Sequence, residues 1–493
     1  MKNKFLSTKG NCYNLPYLKV LFALLVCAFL FVLPIILANT FYIDDMNRTT
    51  EGYNWHRDGR FMSSTLMHLL SHQVEVVYSL FPFSTILSGF LLALSGFVLS
   101  YSLGIRSSFA LFFSGVIFLT CPFLIELLIY KFDCLPISLS IVCVVLPFIL
   151  YEHKIKFFIA SFIFLYLVFG FYQTTALSYA IILCVFIIRD VWHEKYQQIL
   201  INGFLALSSF ILAFLYYQYR LEQMGIQMVD AQRSEFIFNH PEFTNLLISR
   251  WEGFKDLLFT LLKSSYRYTL YIVCFSALIG CGYFVCRQKF SLRFTVHVLI
   301  TLVLVAFICL LTIGVNLVVM EPRWSPRSLI GASFLLLLLF YVIIQLPKKT
   351  IIWGYLSFLP LIYYSFLLCS QLGIFLKNQD EYSDFISSMI APEVLKHTDL
   401  KLVINGRIQY APRNSTINNG TMPFIYKLAP LYENYSFYWG IIRMNKFGIF
   451  SNKYVFGEER ENVISNKEGM PIVQQNKLYS LRIDPPYALI EFY

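Results

Sequence analysis

Long apolar runs separated by short polar ones organise the chain from residue 18 to residue 375. A membrane-crossing helix needs about 20 mainly apolar residues. On that template eleven stretches are predicted to cross: 18–38, 81–104, 107–126, 134–151, 157–171, 174–189, 199–219, 267–286, 294–318, 328–346 and 351–375. The fifth and sixth are short, and the break between them, residues 170–175 (GFYQTT), reads as a tight outer turn or a re-entrant dip. In the connector after the first run, Met62, Leu66, Leu69, Leu70, Val74, Val77 and Phe81 recur at helical spacing. That predicts an amphipathic helix from Asp58 to Phe81, lying at the membrane surface. Beyond 376 the pattern turns polar. Leu402-Val-Ile404, Ser436-Phe-Tyr438 and residues 487–493 read as short strands, with Pro392 and the 414–420 cluster marking turns. The expected fold is an all-α polytopic membrane domain, 1–376, with a first outer loop at 39–80. A small mixed α/β soluble domain, 377–493, follows it.

Composition agrees. The chain is 57% hydrophobic and 14% charged, with a mean hydropathy of +0.61, whereas a soluble chain carries about a quarter charged residues. A soluble enzyme is excluded. The formal charge of +10 sits in short runs between apolar segments, the pattern that orients a membrane protein, so no nucleic-acid partner is expected. None of the 11 cysteines follows Cys369, so the tail has no disulfide framework. Lys2, Lys4, Lys9 and Lys19 precede an apolar run long enough to span, which reads as an uncleaved signal anchor. Alternate loops carry Arg106; His153, Lys154 and Lys156; Arg189 and Lys195; Arg287, Lys289 and Arg293; Lys348 and Lys349. These loops and the N-terminus are expected in the cytoplasm. An odd number of spans then puts 41–81, 130–134, 220–266, 320–328 and the tail outside. The loop 220–266, with Asp230, Arg233, Glu235, His240, Arg250 and Glu252, is too long for a passive turn and is expected to fold over a site. The outer sequons at Asn47, Asn414, Asn419 and Asn434 are frequent by chance, and no glycosylation is read from them.

Candidate chemistry concentrates in residues 41–60, FYIDDMNRTTEGYNWHRDGR. Adjacent acids at a membrane surface must be solvated, paired or put to use. Read as extended chain, Asp44 and Asp45 point to opposite faces. One can then take a proton from an attacking hydroxyl while the other orients or binds a cation. Asp133 and Glu126 flank the second outer loop, and an acid between apolar spans is a site candidate. Its alternative is a surface pair with Lys131. Arg48, Arg57, Arg60, Arg323 and Arg327 run against the orientation rule; of these Arg57, Arg60, Arg323 and Arg327 suit phosphate, which guanidinium groups grip bidentately. Trp324 can lie at the interface or stack on sugar, Trp55 is a further substrate-binding candidate, and Tyr172 and Gln173 can bind sugar or acceptor hydroxyls. A divalent metal is compatible with these acids, but no ligand set is defined. GxxxxGK[ST], HExxH, GxSxG and GxGxxG are absent, which removes support for an ATP-driven pump, a zinc protease and a lipase-type hydrolase.

Asp44-Asp45 after the first helix, the amphipathic stretch behind it and the outer tail resemble the membrane glycosyltransferases of the GT-C type. Ile43-Asp-Asp45, Gly52-Tyr53, Trp55 and Asp58-Gly-Arg60 are similar to the phage-type, serotype-converting O-antigen glucosyltransferases. So are Lys131-Phe-Asp133, Tyr172-Gln173 and Arg327. The resemblance covers residues 1 to about 375. It departs at Cys134, where a small hydroxyl residue is expected.

The resemblance implies transfer of glucose from a polyprenyl-phosphate-linked donor to lipid-linked O-antigen on the periplasmic face of the bacterial inner membrane. It implies inversion at the sugar, Asp44 or Asp45 as base, and Asp133 as second acid. It also implies a separate synthase and flippase for the donor lipid. Two rivals are a lipid-linked oligosaccharide flippase and an O-antigen polymerase. The flippase would need charges lining a path through the spans. The polymerase would rest on outer-loop arginines without needing the Asp pair.

Overall fold

The computed structural model describes residues 15–226, 235–286, 291–347, 350–414, 417–435, 438–449, 455 and 457–493. Lys2, Lys4, Lys9, Asp230, Arg233, Arg287, Lys289, Lys348, Lys349, two residues of the strand expected at 436–438, and two of the Asn414 sequon lie outside them. All eleven apolar stretches fall on helical segments, because in hydrocarbon a segment must satisfy its own backbone polar groups. They correspond to α1 (Leu15–Ala38), α4 (Phe83–Ser102), α5 with α6 (Ser108–Leu119, Ile125–Ile129), α7 (Cys134–Val145), α8 (Lys154–Phe171), α9 (Ala176–Trp192), α10 (Tyr196–Gln223), α12 (Tyr266–Cys286), α13 (Leu292–Ile313), α14 (Gly331–Ile343) and α15 (Ile351–Val394). Between them lie α2 (Asp44–Glu51) and α3 (Phe61–Ser71) in the first loop, and α11 (Phe243–Leu262) in the long loop.

Among the described residues, seven helices are long and apolar enough to cross a membrane. The number is eight if the pair α5–α6 counts as one span. That pair is bent by 55°, where Pro122 opens a new turn that lacks one N–H. The segments Cys134–Leu150 and Gly331–Ile343 are apolar but shorter. Hydropathy alone counted runs, and the folded helices differ in length.

Three expectations need correction. The helix of the first loop covers only Phe61–Ser71 and ends at His72 in the left-handed conformation. Its buried face is Phe61, Ser63, Ser64 and Met67, whereas Leu69 and Val74 are 69% and 88% exposed. The two serines are inward because each finds a backbone partner: Ser64 Oγ accepts from Trp55 N–H (3.0 Å), and Ser63 Oγ donates to Phe171 O (2.9 Å). Second, α15 runs 44 residues through the change of composition at 376. Its far half supplies Ile386, Ile390 and Val394 to the core of the tail, against Leu402, Leu481 and Ile490. Third, Pro392 lies inside the last turns of α15 and marks no turn.

The tail carries a four-stranded sheet in the order β1-β4-β3-β2, with β1 (Lys401–Asn405), β2 (Ile472–Gln475), β3 (Tyr479–Asp484) and β4 (Tyr487–Phe492). Strand β1 pairs parallel to β4, and the other pairs are antiparallel. Short helices α16 (Ile425–Leu428), α17 (Trp439–Met444) and α18 (Gly457–Ser465) complete it.

Helix α3 rests on α8 at Gly170, where an added Cβ would lie 2.5 Å from Met62 Cγ. Gly170→Ala is therefore expected to lower thermal stability in detergent by about 1–3 kcal/mol. Gly203→Ala, which meets open space, is expected to leave it unchanged or slightly raised. Equal melting of both variants would show that this contact does not matter.

Candidate active site

Residues 44–51 form a helix, so the first loop is not extended at the acid pair. The chain enters through Ile43, a β-branched residue at φ +47°, a conformation that costs about 1–3 kcal/mol and persists only when its surroundings enforce it. Neighbouring side chains on a helix diverge by about 100°, and the two acids part accordingly. Asp45 is fully buried. Its carboxylate accepts the backbone N–H groups of Lys131 (2.8 Å) and Phe132 (3.3 Å). Asp44 stays partly exposed, and among the described residues no hydrogen bond or ion pair reaches its carboxylate. The helix stops at Gly52, φ +64°, where any Cβ would strike Val76 at 2.3 Å.

Asp133 also lies inside, 3% exposed. Arg48 Nη1 donates to it at 3.2 Å, and the Trp55 indole N–H donates to the same oxygen. The Arg48 guanidinium lies between the rings of Tyr53 (4.7 Å) and Trp55 (4.1 Å), and its Nε donates to Tyr53 O. The alternative Asp133–Lys131 surface pair does not form. Lys131 Nζ instead reaches Asn39 Oδ1 (2.8 Å) between the rings of Phe41 and Phe81.

Glu126 is brought in by the bend after α5. It accepts the Arg327 backbone N–H (2.8 Å) and the Tyr42 hydroxyl (3.3 Å), with Arg327 Nε 4.0 Å away. The Arg327 guanidinium lies 4.3 Å over the Tyr130 ring, and its Nη1 is buried without a hydrogen-bond partner. The Arg60 guanidinium lies 4.7 Å over Tyr172, and its Nε is likewise buried without one. Gln173 donates to Asp58 O (3.0 Å) and to Tyr217 Oη (2.9 Å), while Tyr217 donates to Gly59 O.

Asp44, Asp45, Asp133, Glu126, Arg60, Arg327, Tyr172 and Gln173 thus meet at one end of the bundle. Arg57 and Arg323 are exposed at its margin. Trp55 is 1% exposed, so it braces Asp133 and offers no face to a sugar. Arg48, Tyr42 and Tyr217 were not among the predicted site residues. Arg48 stands three and four positions after the acids, a helical spacing that an extended reading hides.

Two further parts close over this end. Arg250 of α11 grips the carbonyls of Val319 (2.9 Å) and Met320 (2.6 Å), just before the Arg327 turn, so the long loop folds toward the site. From the tail, α17 packs against α2, anchored by Arg443 on Glu433 (2.8 Å), Asp380 (2.9 Å) and Asp384 (2.5 Å).

Burial raises the Asp45 carboxyl to about 7, against the two backbone N–H groups that favour its anion. Desolvation by the surrounding protein raises Asp44 as well, with the Asp133 charge adding to it, although Arg327, Arg48 and Arg323 pull the other way. A carboxylate with access to solvent, a raised pKa and guanidinium groups on its flanks can accept a proton beside an anionic group. Among the described residues no three His, Cys, Asp or Glu side chains are grouped to hold a metal ion.

No solved structure matches the chain. A Salmonella phage P22 protein, described as an uncharacterized 55.3 kDa protein in the gtrB 5' region, is 23% identical over 439 residues. The match takes in 87% of this chain and 89% of that protein. The family profile Glucosyl transferase GtrII matches residues 33–344, a span that contains Asp44, Asp45, Arg48, Arg60, Glu126, Asp133 and Arg327, and the chain belongs to the GtrII glucosyl transferase family.

Proposed function

We propose that this chain transfers glucose from a polyprenyl-phosphate-linked donor to a lipid-linked O-antigen acceptor at the periplasmic face of the bacterial inner membrane. The observation that carries the reading is the Asp44 carboxylate, partly exposed and, among the described residues, without a donor. It lies in the field of Arg327, and Arg327 and Arg60 both act on neighbouring Asp133 while each buries an unpartnered nitrogen. Buried guanidinium nitrogens call for an anion. An acceptor hydroxyl oxygen attacks the anomeric carbon as its proton passes to Asp44. The bond from that carbon to the phosphate oxygen breaks on the opposite face, and the configuration inverts. The lipid phosphate leaves with the electron pair onto Arg60 and Arg327. Asp45 holds the loop 131–132, and Asp133 holds Arg48 and Trp55. The tail and the loops around the site face the periplasm in this reading, where no nucleotide sugar is at hand. The basic N-terminus faces the cytoplasm.

The test is mass and linkage analysis of O-antigen from cells with and without the chain. A new glucosyl branch is expected, and an identical polymer in both would overturn the reading. Arg60→Gln is expected to raise the donor KM by roughly 10–100-fold, the value of a charge-assisted hydrogen bond of about 1.5–3 kcal/mol. An unchanged KM would remove Arg60 from the phosphate site.

A further inference from the structure

Helices α8 and α10 pack against each other along their length, and a groove of about 670 Å³ lies between them on the bundle's outer surface. Phe162, Ile163, Leu212, Leu215 and Tyr216 are among its walls, which are almost wholly apolar. Ile163 stands eight residues before the end of α8 at Phe171, about 12 Å below the site at 1.5 Å per residue. Aromatic rings join the two levels. Tyr216 meets Tyr166 (5.0 Å), Tyr166 meets Phe61 (6.0 Å), and Phe61 follows Arg60 directly in the chain. Arg60 is the residue whose buried Nε lacks a partner.

We infer that this groove holds the hydrocarbon chain of the donor's carrier, a polyprenyl phosphate, with the phosphate at Arg60. The inference rests on the lipid-phosphate donor proposed above and adds the path of its chain. Bulk phospholipid would fill any lipid-facing groove. The reason to assign a prenyl phosphate is the run of aromatic contacts that leads from the apolar surface groove toward Arg60, whose buried cationic nitrogen asks for an anion. A long chain gains burial along the groove at about 0.8 kcal/mol per methylene. A donor cut to two isoprene units carries too little chain to fill it.

The full-length chain in membranes is to carry a photo-cross-linking side chain at Ile163 or Leu212, or at Leu302, an exposed position of α13. The probe is a radiolabelled long-chain polyprenyl phosphate. Labelling at 163 and 212 but not at 302 is expected, removed by unlabelled polyprenyl phosphate and untouched by phosphatidylglycerol. Equal labelling at all three positions, or equal competition by phosphatidylglycerol, would overturn the inference. In the kinetic arm, Ile163→Trp is expected to raise KM for the long-chain donor about tenfold, the worth of roughly two buried methylenes, with kcat unchanged and the two-isoprene donor unaffected. Equal effects on both donors, or none on the long one, count against the groove. If the unsubstituted protein turns over neither donor, the proposed function fails, and the cross-linking pattern still decides the groove.

Discussion

Asp44→Asn should abolish glucosyl transfer while leaving the protein folded and in the membrane. The side chain keeps its shape and loses only its ability to take a proton. General-base catalysis contributes typically 10²–10⁴-fold, so a fall of at least about 100-fold in kcat/KM is expected. No hydrogen bond within the described residues depends on the Asp44 carboxylate, so expression and melting should match the unsubstituted protein. The pH profile provides a second readout. Desolvation by the surrounding protein raises the Asp44 pKa above the ordinary value, and the base must be ionised to act. Activity should therefore fall as pH drops, with the acid limb above about pH 4, the normal position for Asp. Asp45 behaves differently. It holds the backbone of Lys131 and Phe132 from a fully buried position, so Asp45→Ala should lower stability and activity together. Full transfer by the Asp44→Asn variant would sink the base assignment. Loss of transfer with loss of protein would show a structural role instead.

The second large effect concerns the Arg48–Asp133 pair. Both side chains are nearly sealed from solvent, and removal of one partner leaves the other as a buried, uncompensated charge. Such a change typically costs about 3–5 kcal/mol. Arg48→Met and Asp133→Asn should each destabilise the detergent-solubilised protein by about that amount and open the first loop. The double variant should melt well above the sum of the two losses, because the orphaned charge is gone. It should still be a poor enzyme, since Arg48 also braces Tyr53 and Trp55 beside Asp44. Strictly additive losses would mean that the pair is not coupled.

Particular residues show how far the chain could be read in advance. The helical membrane domain was legible because hydropathy is a local sum, and each apolar stretch found a helix. The 41–60 loop was legible as a site because charge at a membrane surface is costly unless used. The conformation of that loop was not. Asp44 and Asp45 are identical in type and adjacent in sequence, and only the helix starting at Asp44 sends one inward and leaves the other partly open. Trp55 is a substrate-binding candidate by sequence, but it is buried and its indole N–H is taken up by Asp133. Strand β3 alternates Tyr479, Leu481 and Ile483 with polar residues, a period-two signal that a search for apolar runs passes over.

By itself, then, the sequence determined that the chain is mostly helical with several apolar helices long enough for a membrane, that the loops between them carry acids and arginines together, and that a polar tail follows. Those properties depend on residues close in the chain. Tertiary structure alone decided which acid is accessible, that Arg48 pairs with Asp133 across 85 positions, and that Arg60 and Arg327 are left with unpartnered nitrogens. These outcomes follow from which helix ends meet, and burial raises the strength of each pairing and the cost of each missing partner.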